Sequence, residues 1–205
     1  MIAIVDYGVG NLYSLSCSLK YIGQDAFVTG DPAAIRNSER IILPGVGAFG
    51  DAAAKLHESG LAEIVISEAK SGKPLLGVCL GMQLLFEKSY EFGEHDGLGL
   101  LRGTVAPIGP RIPAGYKIPH IGWNALKFPG NGKSSLFKYI DEGDHVYFVH
   151  SFHAEGCEES IIASAEYGAD LTAAAAASNI FGTQFHPEKS GNVGLRILKA
   201  FSEIQ

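Results

Sequence analysis

Short apolar runs alternate with amphipathic segments along the N-terminal half of the chain. The runs at 2–5, 26–29, 40–43 and 74–78 are almost continuously apolar, which is the pattern of strands buried on both faces. Apolar residues recur at helical spacing over residues 11–21, 51–58, 61–70 and 80–87. Strands that alternate with helices in this way predict an α/β fold, with a mostly parallel central sheet flanked by helices.

The pattern changes after about residue 93, where glycine and proline become frequent and the apolar runs shorten. Alternating runs at 103–107 and 118–126 predict hairpin-like strands laid against the main sheet. Further strands are predicted at 146–150, 161–165, 172–178 and 180–185, and a last helix at 191–202. The alanine run at 173–177 has helical propensity, but turn signals on both sides favour a strand. Because no linker or repeat interrupts the pattern, we expect one domain over residues 1–205.

Composition and charge exclude several classes of function. The 205 residues carry 16 Lys and Arg against 22 Asp and Glu, with no basic cluster of the kind that binds nucleic acid. The N-terminus lacks a basic segment, and no stretch approaches the roughly 18 apolar residues of a membrane helix. We therefore expect a cytoplasmic protein without a membrane or nucleic-acid partner. The three cysteines, Cys17, Cys79 and Cys157, form neither a disulfide framework nor a metal-binding spacing, so we expect no metal.

One glycine-rich loop resembles a nucleotide site in form only. Gly45, Gly47 and Gly50 follow a predicted strand and precede a helix, as in the dinucleotide fingerprint. That fingerprint also needs an acidic residue at the end of the next strand, which here ends in Cys79. We therefore expect no nucleotide cofactor. The exposed backbone N–H groups of such a loop can instead serve oxyanion chemistry.

Cys79 stands in the sequence Gly-Val-Cys-Leu-Gly, which has the form G-x-nucleophile-x-G at a strand-to-helix junction. A sharp turn there would project the sulfur above the strand ends, at the N-terminus of a helix that favours the thiolate. The backbone N–H of Leu80 would then face a developing oxyanion. The alternative is that Cys79 is simply a small buried residue, the commonest fate of a free cysteine.

His186 is the best candidate for a base. It ends an apolar strand, and Glu188 follows two residues later across a proline. In extended structure this spacing places both side chains on one side, so that the carboxylate can orient the imidazole. Nucleophile, base and orienting carboxylate together predict a catalytic triad. Taken alone, a His-Pro-Glu sequence would more often be a surface turn.

The segments GVCLGMQ and QFHPEKS together resemble the class I (triad-type) glutamine amidotransferases. The resemblance implies a flavodoxin-like architecture with a smaller additional antiparallel sheet. It also implies that Cys79 attacks the side-chain amide of glutamine and forms a thioester, with His186 and Glu188 as its partners. The other implied site residues are the oxyanion donors, Leu80 and the loop of Gly45, Val46 and Gly47, and the glutamine-binding set, Gln83, Glu91, Ser151 and Phe152.

Four further segments, DYGVGNLYS, LPGVGAFGDA, PHIGWN and YFVHSFH, are similar to the branch of this family that serves histidine biosynthesis. Members of that branch supply ammonia to a separate cyclase subunit of (β/α)₈ fold, which makes imidazole glycerol phosphate and aminoimidazole carboxamide ribotide. The resemblance therefore implies a heterodimer. The interface candidates are Asn11, His120, Trp123 and Asn124.

Several alternatives remain at this stage. Trp123, the only tryptophan, can also be ordinary core. The chain can serve a different biosynthetic synthase, or act alone as a cysteine amidase or γ-glutamyl hydrolase. A non-catalytic binding protein of related fold is a third class, although it would be free to lose any member of the triad.

Overall fold

The computed structural model describes residues 1–130 and 132–205. Its helices are α1 (Leu12–Tyr21), α2 (Pro32–Asn37), α3 (Phe49–Glu58), α4 (Leu61–Lys70), α5 (Leu80–Leu84) and α6 (Gly191–Ser202). The strands of the main sheet are β1 (Ile2–Val5), β2 (Ala26–Thr29), β3 (Arg40–Gly45), β4 (Leu75–Cys79), β8 (His120–Lys127), β9 (His145–His150), β11 (Ile161–Glu166), β12 (Asp170–Ala177) and β13 (Ile180–Thr183). The strands of a second, smaller sheet are β5 (Lys88–Ser89), β6 (His95–Asp96), β7 (Thr104–Pro107) and β10 (Phe152–Glu155).

The main sheet has the order β2-β1-β3-β4-β13-β12-β11-β8-β9 over the described residues. From β2 to β13 all neighbours are parallel, whereas from β13 to β9 all are antiparallel. The α/β class with a second, smaller sheet is confirmed, but the main sheet is mixed rather than mostly parallel. The reason is that helices connect β1 to β2, β2 to β3 and β3 to β4, whereas short turns connect β11 to β12 and β12 to β13 and give antiparallel pairs.

The smaller sheet also differs from the expected antiparallel arrangement. In the order β10-β7-β5-β6 the two outer pairings are antiparallel, but β5 pairs parallel with β7. The connection from β5 to β7 passes through β6, which occupies the free edge of β5 and so lets β7 return in the same direction. This small sheet forms one wall above the carboxyl ends of the main sheet.

Alternation along the central strands divides the core between the two faces of the main sheet. In β3, Ile41 and Leu43 pack into the cluster that includes α3 and α4, whereas Ile42 packs into the cluster that includes α1 and α6. Each such side chain contributes roughly 1.5–3 kcal/mol through burial. Truncation of Ile42 to alanine would cost roughly 2–5 kcal/mol.

The alanine run forms strand β12, as the turn signals predict. Ala174 pairs with Thr183 and Ala175 with Gly182 of β13. Gly182 faces Met82 so closely that a Cβ atom would lie 2.5 Å from the Met82 side chain. Small side chains are therefore needed where this part of the sheet meets α5, and packing overrides helical propensity.

One helix prediction needs correction. The helix predicted over 80–87 ends at Leu84, because the chain turns there toward β5. Helix α1 begins after Asn11, yet the Asn11 side chain makes no capping hydrogen bond and points to Glu188 instead. No helix in the described part of the chain is long and apolar enough to cross a membrane.

Candidate active site

Cys79 lies at a strained turn between β4 and α5. Its φ of +55° is in the left-handed region, which residues other than glycine rarely adopt. A Cβ at Gly81 would lie 1.9 Å from the Leu43 carbonyl oxygen, and one at Gly77 would lie 2.6 Å from that of Gly81. Both flanking glycines are thus required, because α5 folds back onto β3 and β4 immediately after the cysteine. Such a turn places the sulfur at the carboxyl edge of the sheet, where Cys79 is 7% exposed.

The N-terminus of α5 faces the same edge. The first N–H groups of any helix have no partner within the helix, and Leu80 is the first residue of α5. Helix α5 has only five residues, so its dipole is smaller than the predicted helix would supply. The Leu80 N–H remains available as a donor beside the sulfur.

His186 and Glu188 form a buried pair at the end of the strand that neighbours β4. Glu188 Oε1 accepts a hydrogen bond from Nδ1–H of His186 at 2.8 Å, and the two side chains are 2% and 1% exposed. The two residues are not extended as predicted, because Pro187–Lys189 forms a 3₁₀ turn. The Ser190 hydroxyl donates to the His186 carbonyl at 2.6 Å and fixes this turn.

The environment of His186 favours its protonated form. Burial lowers the pKa of the imidazole, but hydrogen bonds and charges from Cys79 and Glu188 outweigh burial and raise this pKa to about 9. At neutral pH the arrangement therefore favours an imidazolium next to the sulfur.

Asn11 holds the carboxylate from the opposite side. Its Nδ2 donates to Glu188 Oε1 at 3.3 Å, so one carboxylate oxygen serves both His186 and Asn11. Glu188 Oε2 is buried and accepts no hydrogen bond from the described residues. The sequence places Asn11 among the interface candidates, whereas the structure gives it a direct contact with Glu188.

The loop after β3 lies beside Cys79. Gly45 and Cys79 are register partners in the pairing of β3 with β4. Val46 is 39% exposed, and Gly47 has a φ of +92°. The buried Tyr7 hydroxyl donates to the Pro44 carbonyl at 2.8 Å, which anchors the start of this loop. Burial, followed by the nearby Cys79, raises the pKa of Tyr7, so that it stays a neutral donor.

These groups open into one cleft of about 290 Å³ at the carboxyl edge of the main sheet. Its lining consists of Val46, Gly47, Cys79, Leu80, Gln83, Glu91, Pro119, Val149, His150, Ser151, Phe152 and His186. The structure therefore brings all four predicted glutamine-binding residues together with Cys79 and His186. Ligands of α/β sheets bind at this edge.

Two of the predicted glutamine-binding residues already have hydrogen-bond partners. Gln83 Nε2 donates to the Phe152 carbonyl at 3.1 Å. Glu91 Oε2 accepts from the backbone N–H of Phe49, the first residue of α3, at 2.5 Å. Glu91 is thereby fixed with its carboxylate at the cleft.

Sequence reasoning missed two residues at this site. Gln184 is fully buried and its Nε2 lies 3.8 Å from Cys79 Sγ. His150 lines the cleft, and its Nδ1 lies 2.8 Å from the Phe152 carbonyl oxygen. Gln184 could have been found, because residues two apart in a strand share one face and His186 follows it by two. His150 carries no such signal, since β9 meets the cleft only through tertiary packing.

The remaining interface candidates differ in exposure. Trp123 is 52% exposed, which rules out the alternative that it is ordinary core. Asn124 is half-buried, and His120 is 1% exposed. Burial lowers the pKa of His120, which lies 2.9 Å from His150 Nε2 through Nδ1 and 2.7 Å from Asn124 Oδ1 through Nε2. Within residues 1–130 and 132–205, no group of three or more His, Cys, Asp or Glu is arranged to hold a metal ion.

Similarity to known proteins agrees with this geometry. The sequence model of the family "Glutamine amidotransferase class-I" matches residues 3–203. The chain is 52% identical to imidazole glycerol phosphate synthase subunit HisH of Wolinella succinogenes, with all of both chains covered. It is 50% identical to the protein of the same name from Caldanaerobacter subterraneus subsp. tengcongensis, with all of this chain and 98% of that one covered.

Solved structures share the fold at low sequence identity. A crystal structure of a glutamine amidotransferase has a TM-score of 0.75 at 19% identity and covers 98% of this chain and all of its own. The structure of PurLQS from Thermotoga maritima has a TM-score of 0.75 at 20% identity and covers 98% of this chain and 96% of its own. The family match over nearly the whole sequence decides the assignment, and the chain belongs to the class-I glutamine amidotransferase family.

Proposed function

We propose that this chain is the glutaminase subunit of an imidazole glycerol phosphate synthase. It hydrolyses glutamine to glutamate and ammonia and supplies the ammonia to a cyclase subunit in histidine biosynthesis. The similarity of about half of all residues, over full length, to proteins of that name supports this role. The observation that carries the chemistry is that Cys79 and His186 line one cleft, while the buried Glu188 is hydrogen-bonded to His186.

The first half-reaction forms a thioester. The Cys79 sulfur attacks the side-chain carbonyl carbon of glutamine and gives a tetrahedral intermediate with a negatively charged oxygen. The Leu80 N–H and an N–H of the Gly45–Val46–Gly47 loop stabilise this oxyanion. Protonated His186 gives its proton to the departing nitrogen, the C–N bond breaks, and ammonia leaves.

The second half-reaction releases glutamate. His186, now neutral, takes a proton from water, and the resulting hydroxide attacks the thioester carbonyl. The C–S bond breaks, the sulfur leaves as the thiolate, and the imidazolium is restored. Glu188 stays ionised throughout, orients the imidazole and stabilises its positive charge.

Substrate binding uses the other walls of the cleft. Glu91 pairs with the α-ammonium group, while the backbone around Ser151 and Phe152 holds the α-carboxylate end. Gln83 links these walls, since its amide is hydrogen-bonded to the Phe152 carbonyl. Recognition of the α-ammonium and α-carboxylate groups, which both belong to Cα, selects an amino acid over a simple amide.

The partner is a cyclase subunit of (β/α)₈ fold, with which the chain forms a heterodimer. The half-exposed Trp123 and its exposed neighbour Ile121 offer apolar area for an interface on β8. His120 and Asn124 lie beneath this surface, and Asn11 lies beside the triad. Because the Val46 loop is exposed at the cleft, we expect the partner to complete the oxyanion site.

A glutaminase assay with and without the cyclase subunit and its nucleotide ligand tests the proposal. Wild type should be slow alone and accelerate strongly in the complex, and Cys79→Ala should be inactive in both. Cys17→Ala, which removes an exposed cysteine on α1, is the matched control and should behave like wild type. Retained activity in Cys79→Ala would contradict the thioester mechanism.

The same assay separates the alternatives. Full activity in isolation would favour a stand-alone amidase or γ-glutamyl hydrolase. Activation by another synthase, but not by the cyclase subunit, would assign the chain to a different complex.

A further inference from the structure

Gln184 is a fully buried amide next to the nucleophile. It follows β13 and precedes His186 by two residues. A buried amide is costly unless its polar atoms are hydrogen-bonded, and an apolar residue would fill the same space without that requirement. The atoms that the Gln184 amide contacts therefore indicate its role.

The orientation of the Gln184 amide is fixed by its neighbours. Gln83 Nε2 donates to the Phe152 carbonyl at 3.1 Å and to Gln184 Oε1 at 2.9 Å. Since an amide nitrogen only donates, the atom of Gln184 that faces Gln83 must be the oxygen. The Gln184 nitrogen consequently faces Cys79 Sγ, at 3.8 Å. A flipped amide would set two NH₂ groups against each other.

We propose that Gln184 is a positioning residue for the nucleophile, which donates a hydrogen bond to the Cys79 thiolate and ties it, through Gln83, to the Phe152 carbonyl. This rests on the proposed function, in which the thiolate is the attacking group. Gln184 then donates to the sulfur from the same segment as His186, two residues before it. This donor directs the sulfur without giving up a proton.

Other titratable groups around the sulfur stay in place when Gln184 is changed. They are Tyr7 after β1, Glu91 and His150 on the cleft walls, and the pair of His186 and Glu188. None of these side chains has a hydrogen bond to Gln184 among those found in the described residues. A shift caused by the substitution therefore reports on the sulfur itself.

The test measures how the rate of Cys79 alkylation by iodoacetamide depends on pH, in the full chain and without glutamine. Mass spectrometry of the Cys79 peptide separates its signal from Cys17 and Cys157. In Gln184→Met, which keeps the length but removes the donor, the midpoint should shift upward by about one pH unit. The matched control is Gln24→Met, at the opposite edge of the sheet before β2, which should leave the midpoint unchanged.

Kinetics in the complex provide a second readout. Gln184→Met should lower kcat about tenfold, because Gln184 contacts the sulfur, and should change KM less than kcat, because Gln184 reaches the substrate only through Gln83. If Gln184→Met does not fold, as judged by circular dichroism, the isosteric Gln184→Glu takes its place. Its carboxylate would face the sulfur and shift the midpoint upward by more than one unit.

An unshifted midpoint in a folded Gln184 variant would overturn the positioning role. That outcome is distinct from a failure of the proposed function, which is judged from glutaminase activity in Cys79→Ala. The alkylation profile needs neither turnover nor a partner.

Discussion

Two buried histidine systems, the pair of His186 and Glu188 and the pair of His150 and His120, border the same cleft. The pKa values of their histidines are shifted in opposite directions. His186 has a buried carboxylate and the nucleophile beside it, and its pKa is raised to about 9. His150 is also buried, and burial, together with the nearby His120 and His153, lowers its pKa to about 3. Burial alone would lower the pKa of His186 and leave its imidazole neutral, whereas Cys79 and Glu188 raise this pKa and keep the ring protonated.

The two systems also differ in which polar atom lacks a hydrogen-bond partner. His150 Nδ1 faces a carbonyl and must carry the proton, so its Nε2 accepts from His120 Nδ1. His120 Nε2 faces Asn124 Oδ1, an acceptor, and complete bonding would require a doubly protonated His120. Burial opposes that charge. The pair of His120 and His150 is therefore held neutral at the cost of one hydrogen bond. The pair of His186 and Glu188 keeps the hydrogen bond of the ion pair, while Glu188 Oε2 has no donor among the described residues.

The largest expected effect comes from removing the charged system. His186→Asn should lower kcat by about 10⁴-fold or more, because both proton transfers lose their carrier. His57→Asn is the matched control, since His57 is an exposed histidine on α3 with a surface carboxylate partner. Activity of His186→Asn within tenfold of wild type would show that His186 does not carry the proton transfers.

Removing only the carboxylate charge should have a smaller effect. Glu188→Gln should move the pKa of His186 from about 9 toward the ordinary 6.5 and lower kcat by about 10²–10³-fold. NMR titration of the His186 ring, together with steady-state kinetics, measures both. Glu63→Gln, which takes the carboxylate from exposed His57, serves as the control. An unchanged titration of His186 would show that Cys79 alone sets its pKa.

The two systems should give stability opposite dependences on pH. Because the pKa of His186 is raised in the folded protein, the protonated imidazole stabilises the fold fully below pH 6.5. This contribution to the free energy of unfolding, roughly 3 kcal/mol, is lost as the pH rises to about 9. A lowered pKa stabilises above 6.5, and His150 loses roughly 2–3 kcal/mol as pH falls to about 4.5.

Urea unfolding across this pH range measures these slopes. His186→Asn should flatten the alkaline side only, and His150→Asn, which keeps a donor toward the Phe152 carbonyl, the acid side only. If either variant reduced the pH dependence of stability equally at acid and alkaline pH, the two histidines would not act separately.

The smallest expected effect concerns the support of the carboxylate. Asn11→Ala removes one hydrogen bond to Glu188, so we expect a loss of about 1 kcal/mol in stability and up to about tenfold in kcat. Thermal unfolding and kinetics of the isolated chain and of the complex measure it. Asn192→Ala, an exposed position on α6, is the control. A loss confined to the complex would instead assign Asn11 to the interface.

Much of the fold was predictable because burial imposes periodicity on the sequence. The apolar runs identify the central strands, and the turn signals correctly separate β12 from a helix. The direction of the later strands was not predictable, since the same alternating pattern suits either direction. Likewise α5 is shorter than its pattern suggests, because the chain must leave for β5 and pack against the smaller sheet.

The candidate site divides in the same way. Cys79, His186 and Glu188 are marked by local chemistry, namely glycines that permit a sharp turn and a proline between two polar residues. Gln184 and His150 are not, because what matters is the atom that each faces across strands. The exposure of Trp123 and the burial of His120, on one strand, likewise depend on β9 and its neighbours.

By itself the sequence determined the α/β class, the turn at Cys79 and the acid–base pair, because these follow from side-chain chemistry and spacing along the chain. Only the tertiary structure decided which hydrogen bonds those groups make. Cys79 and the buried Glu188 raise the pKa of His186, whereas burial lowers that of His150, and only folding determines which histidine receives these neighbours.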